Sequence, residues 1–237
     1  MEPTRPAAAV QDMTNTRAVG FLGITACVVF WGASFVFGAL RPSYSHAVNA
    51  ISELGVRGTP NATMWNIVGF VVPGLLLALT GGVVAHAIDR EKSWSGNLSR
   101  LLLVLAGLAI AGQGVIPAEM TNGVADITSP YTRGHFISSL VSGAAWAIGV
   151  LLLIGPMSRN PEWRRWRLVS LVLVVLAFVA SFSVRGTLPD GLAQRLGNAI
   201  FSAWFVLMSL KLIQLRADGS PVKHQTAGAA QQPQRPR

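Results

Sequence analysis

Acid–base chemistry in this sequence would fall to two glutamates and one histidine. Glu53 lies near the end of YSHAVNAISELG (Tyr44–Gly55), Glu119 sits in IPAEM, and His135 sits in YTRGHFISS. A carboxyl held partly out of water keeps its proton more tightly, which suits it to donate that proton to a substrate. A histidine nearby can accept or relay one. His46, Asn49, Ser52, Arg57, Arg133 and Arg195 lie in the same segments and are the candidate substrate-binding residues.

Other chemistries find less to stand on. A metal site needs ligands at a fixed spacing, such as HExxH, and none is present, so no metal or cofactor is expected. Ser52, His135 and Glu119 contain the residue types of a hydrolase triad, yet no GxSxG frames a serine. No GxxxxGK[ST] loop is present either; Gly81–Gly82 and Gly143–Ala145 suit close helix packing instead.

The elements that must hold these residues are membrane helices. Of 237 residues, 51% are hydrophobic and 12% charged, against about 25% charged in soluble domains. Six apolar stretches approach the roughly 20 residues that cross a bilayer: Val19–Leu40, Met64–Ala87, Leu101–Ile116, Phe136–Ile154, Leu168–Val184 and Gly197–Leu215. The first is too long, and its leader too polar, for a cleaved signal peptide. The expectation is an all-α bundle of six transmembrane helices (residues 19–215), after a polar leader (1–18) and before a disordered tail (216–237).

Charge sets the sidedness. Of the 19 lysines and arginines, only Arg41, Arg57, Arg133, Arg185 and Arg195 fall in the first, third and fifth connections and their edges. The rest lie in the termini and the other connections, which puts both termini in the cytoplasm of a plasma-membrane protein. The net charge of +9 follows from this bias; the basic residues form no single patch interleaved with aromatics, so nucleic acid is not an expected partner. Trp163 and Trp166 flank the arginine-rich RNPEWRRWR (Arg159–Arg167) and read as headgroup-level anchors. Cys27 is the lone cysteine, so no disulfide forms within the chain.

With this orientation every candidate residue lies on the outer face. On a helical wheel at about 100° per residue, Ser45, His46, Asn49, Ser52 and Glu53 share one arc, with Ala47, Val48, Ala50, Ile51 and Leu54 opposite. A short amphipathic helix over Ser43–Leu54 is therefore expected, roofing the mouth of the bundle. A cluster of Glu53, Glu119, His46 and His135 with Arg57, Arg133 or Arg195 would compensate ionisable groups at that depth. Such a cluster can be a site or a set of staples between loops. A transporter would place more charge along the spans, where His86 and Gln113 are the few polar groups.

Four pieces carry a resemblance: ISELGVRGTPNATMWN (Ile51–Asn66), IPAEM (Ile116–Met120), GHFISS (Gly134–Ser139) and GLAQR (Gly191–Arg195). In this order they resemble domain-of-unknown-function family 998, six-span prokaryotic membrane proteins. Glu119 matches the acid that this family places shortly after the proline, more usually an aspartate. The ISELG–Pro pattern is also remotely similar to the Frag/DRAM/Sfk membrane proteins, some of them linked to lipid remodelling. The resemblance implies lipid handling, with membrane lipids as partners, and the acid–base reading of Glu53 and Glu119 adds a lipid or isoprenoid-like amphiphile as the expected substrate. A non-catalytic sensor, scaffold or stabilising subunit is the alternative, and a small transporter the next.

Overall fold

A computed structural model describes residues 5–182 and 187–215. The predicted tail and Arg185 lie outside the described residues. Six helices follow one another: α1 (Arg5–Ala39), α2 (Ala62–Ile88), α3 (Trp94–Val115), α4 (Pro130–Arg159), α5 (Trp166–Phe182) and α6 (Asp190–Gln214). Five of them carry stretches long and apolar enough to cross a membrane, and α5 is a shorter apolar helix. Each predicted apolar stretch falls within one of these helices or overlaps most of it. The short third stretch is completed at its start, because α3 begins at Trp94, where the Ser93 hydroxyl caps the Gly96 amide.

Each helix packs on the next, and α6 packs back on α1, so the six close into a ring. Small residues permit the closest approach. A Cβ on Gly107 would lie 2.2 Å from the Ala78 amide nitrogen, and one on Gly74 would lie 2.4 Å from that of Ala111. The backbones of α2 and α3 thus touch reciprocally, which suits helices that gain nothing from expelling water between them. Trp146, Trp204, Phe205, Met208 and Leu212 fill the main core. Phe21, Val28, Leu101, Ile137, Leu140 and Phe178 remain largely exposed on the flanks, as on a bundle that faces lipid.

Helix α2 is not regular. Asn66–Val71 winds as a π-helix, and the Val72 amide donates to the Ile67 carbonyl. Pro73 follows at once; it brings no amide hydrogen and crowds the preceding turn, and the wider π turn accommodates it.

The connections separate into two ends. At one end, the Arg57 amide donates to the Ala118 carbonyl, and the Gly191 amide to that of Val48. This joins residues 40–61, the α3–α4 connection and the start of α6. At the other end, the Asn160 side chain donates to the Ile88 carbonyl and Arg17 Nε to the Ile213 carbonyl. Trp163, predicted at headgroup level, is fully buried here in the core, with Lys211 Nζ 5.8 Å from its ring centre. The turn after α4 folds the indole inward, so only Trp166 keeps partial exposure.

Candidate functional site

The predicted helix over Ser43–Leu54 is replaced by turns through Ala50 and a short 3-10 helix, Ile51–Gly55. The cause lies in α6. Its first turn has unsatisfied amides, like that of any helix, and the carbonyls of Val48 and Ala47 accept from Gly191 and Leu192. A helix over Ser43–Leu54 would need those same carbonyls for its own amides. The Ile51 amide instead donates to Gln194 Oε1. Gly191 permits the approach: a Cβ there would stand 2.6 Å from the Asn49 oxygen.

The wheel's polar arc survives in part. Asn49 Nδ2 donates to Glu53 Oε2 and the Ala50 amide to Glu53 Oε1, each at 2.8 Å. Glu53 therefore ties its own loop together. Its apolar neighbours Ile51 and Leu54 are buried against Trp65 and Phe70, which plugs the 3-10 helix into the bundle. Ser52 is half-buried in the same turn.

His46 turns away from that arc towards Arg195. One guanidinium nitrogen of Arg195 donates to the Asn49 and Gly191 carbonyls at 2.9 and 3.0 Å. The other reaches the Tyr44 hydroxyl and His46 Nδ1, the latter at 3.0 Å. An imidazole nitrogen that accepts from a guanidinium must be unprotonated. Burial first, then the Arg195 charge, holds the His46 pKa below its ordinary value. Burial chiefly raises that of Tyr44.

Glu119 belongs to a second group. Its Oε1 pairs with Arg57 at 3.0 Å, and its Oε2 accepts from the Ser129 hydroxyl. Arg57 also lies 3.9 Å from the centre of the Tyr131 ring. The connection between them is a hairpin, Met120–Thr121 against Val124–Ala125, turned by Asn122 and Gly123 at positive φ. Asp126 closes it by accepting from Thr128, which holds its carboxyl below the usual range. Arg133 is exposed on the first turn of α4.

His135 is buried one turn further along α4. Its Nδ1 lies 3.0 Å from the Gln113 carbonyl and 3.1 Å from that of Ile116. Carbonyls only accept, so Nδ1 carries a proton, and in the neutral form of the ring Nε2 is the lone-pair nitrogen. The Phe70 ring stands edge-on at 5.8 Å.

Among the described residues, no hydrogen bond or ion pair joins Glu53 to Glu119, or either to His135. A pocket of about 450 Å³ at this end is lined by Gly58, Thr59, Asn61, Ala62, Thr63, Met64 and Ile67, none of them predicted site residues. Tyr44, Gln194, Ser129 and Thr132, whose hydroxyl accepts from the Glu119 amide at 2.9 Å, were not among the predicted site residues. Each is a neutral polar side chain that gains meaning only from its partner, although Gln194 stands beside Arg195 in GLAQR and Ser129 before a proline that opens a helix.

No curated protein and no solved structure matches the chain. One family model does, over residues 24–211, which span all six helices and both polar groups. On that match the chain belongs to the family described as protein of unknown function (DUF998).

Proposed function

We propose that this is a six-span plasma-membrane protein, both termini cytoplasmic, that handles a lipid or isoprenoid-like amphiphile at its outer face. The six-span count is supported by the closed ring, in which the apolar helix α5 takes a place between α4 and α6 like the other five. The sidedness is supported by the bias of lysine and arginine towards one end.

One observation carries the chemical half of the reading. His135 Nδ1 is held by two backbone carbonyls, so that in the neutral ring Nε2 is the nitrogen without a hydrogen. A buried imidazole fixed in this way is prepared to take a proton from an amphiphile's hydroxyl, the role for which a general base must be oriented. Glu53 and Glu119 then support the fold around it, since each carboxylate is already occupied by neighbouring donors.

That occupancy also favours the second reading, a non-catalytic scaffold or sensor in which every polar residue here is a staple. His135→Asn separates the two. An asparagine amide can still donate to the Gln113 and Ile116 carbonyls, but it has nothing in the place of Nε2. In a strain lacking the protein, lipid profiles after complementation with wild type and with this variant are compared at equal membrane levels. Enzymatic action predicts that the variant leaves the profile of the deletion strain. Full restoration by the variant would sink the catalytic reading and leave the scaffold.

A further inference from the structure

We propose that the start of α5 is a binding site for an anionic phospholipid, its phosphate on Arg164 and Arg165 and an acyl chain along the outward face of the helix. This site lies at the end of the bundle opposite His135 and does not rest on the function proposed for the outer face.

The charge there is uncompensated. Arg164, Arg165 and Arg167 are exposed within four consecutive residues, and Glu162 is the single carboxylate in the turn from Asn160 to Arg167. Arg57–Glu119 is the one ion pair among the described residues, so these guanidinium groups have no carboxylate. Arg167 spends a donor on the Ser158 hydroxyl at 3.2 Å, while Arg165 is placed 6.0 Å from the centre of the Trp166 ring.

The shape matches the charge. Arg165, Trp166 and Val169 line a pocket of about 330 Å³ whose walls are mostly apolar. Beside it and further along α5, Leu168, Val172 and Val175 are exposed. A cation with an indole and a valine beneath it fits a molecule that is anionic at one end and apolar at the other.

Arginines at the edge of the hydrocarbon are best compensated by phosphates, and a headgroup of net negative charge neutralises them more fully than a zwitterionic one.

The test uses the full chain purified in a neutral detergent, with thermal unfolding followed during titration with three probes. These are phosphatidylglycerol, phosphatidylcholine with the same acyl chains, and inorganic phosphate. The expected result is a rise of several degrees in the midpoint with phosphatidylglycerol alone. That rise should vanish in R164Q/R165Q and persist in R100Q, which removes an exposed arginine elsewhere at the same end. An equal rise with phosphatidylcholine or with phosphate overturns the proposal, as does a double variant that keeps the response. If the double variant does not survive extraction, R165Q alone is measured, with native mass spectrometry counting retained phosphatidylglycerol. Wild-type retention by R165Q overturns the proposal, and reduced retention supports it.

Discussion

The carbonyl oxygen of Asn49 accepts a hydrogen bond from Arg195 at 2.9 Å, across 146 residues of chain. This contact and its companions to Tyr44 and His46 fasten the first long connection to the start of α6, while the bond to the Gly191 carbonyl, inside α6, steadies the guanidinium. The four acceptors surround one planar fork, which a lysine ammonium cannot reproduce. Arg195→Lys should therefore destabilise the fold despite the retained charge, by about 2 kcal/mol on the scale of charge-assisted hydrogen bonds. Thermal unfolding in detergent measures this, and an unchanged midpoint would remove the clamp from the account.

The same cluster makes stability depend on pH through His46. Its folded pKa lies below the ordinary 6.5, owing to burial and then to Arg195. Below 6.5 the unfolded chain takes up a proton that the folded chain resists, so the unfolded state binds more protons. The contribution is complete above pH 6.5 and is lost as pH falls through the folded pKa. Between pH 7.5 and pH 5, the wild-type midpoint should fall further than that of His46→Gln, whose amide oxygen can accept from Arg195 without titrating. Parallel falls in the two proteins would contradict this.

The helices were legible because hydrophobic length is a property of local sequence. The turn at Tyr44–Ala50 was not. Its wheel is sound as a helix, but the Val48 and Ala47 carbonyls are taken by amides of α6, more than 140 residues later in the sequence. Trp163 failed likewise, since an indole beside arginines reads as interfacial until the turn that folds it inward is known. Glu53 and Glu119 lie in two connections that meet at one end of the bundle, but their partners depend on which loops touch there.

Backbone contact between α2 and α3 gives a prediction about glycine. A Cβ on Gly107 would meet the Ala78 nitrogen at 2.2 Å and the Gly74 oxygen at 2.7 Å, and backbone atoms cannot swing aside. Gly143, within α4, has nothing within 4 Å of such a Cβ. Gly107→Ala should force α2 and α3 apart and lower the yield of folded protein and its midpoint. Gly143→Ala should be neutral or slightly stabilising, because alanine is the better helix former by about 1 kcal/mol. Similar behaviour of the two variants would mean that the close crossing does not limit stability.

The Arg57–Glu119 pair is the place to separate stapling from chemistry. The two side chains are 48% and 30% exposed, and pairs so accessible to water contribute at most about 1 kcal/mol. Yet the bridge is one of the contacts between two long connections, alongside the Arg57 amide on the Ala118 carbonyl. A double-mutant cycle with Arg57→Gln and Glu119→Gln should give a small positive coupling in stability, shrinking in high salt as a solvent-exposed pair must. The two single variants should then have equal effects on any lipid phenotype, since each breaks the same contact. A Glu119→Gln variant that matched Arg57→Gln in stability but alone erased the phenotype would show that Glu119 acts on the amphiphile directly, and would return it to the catalytic group beside His135.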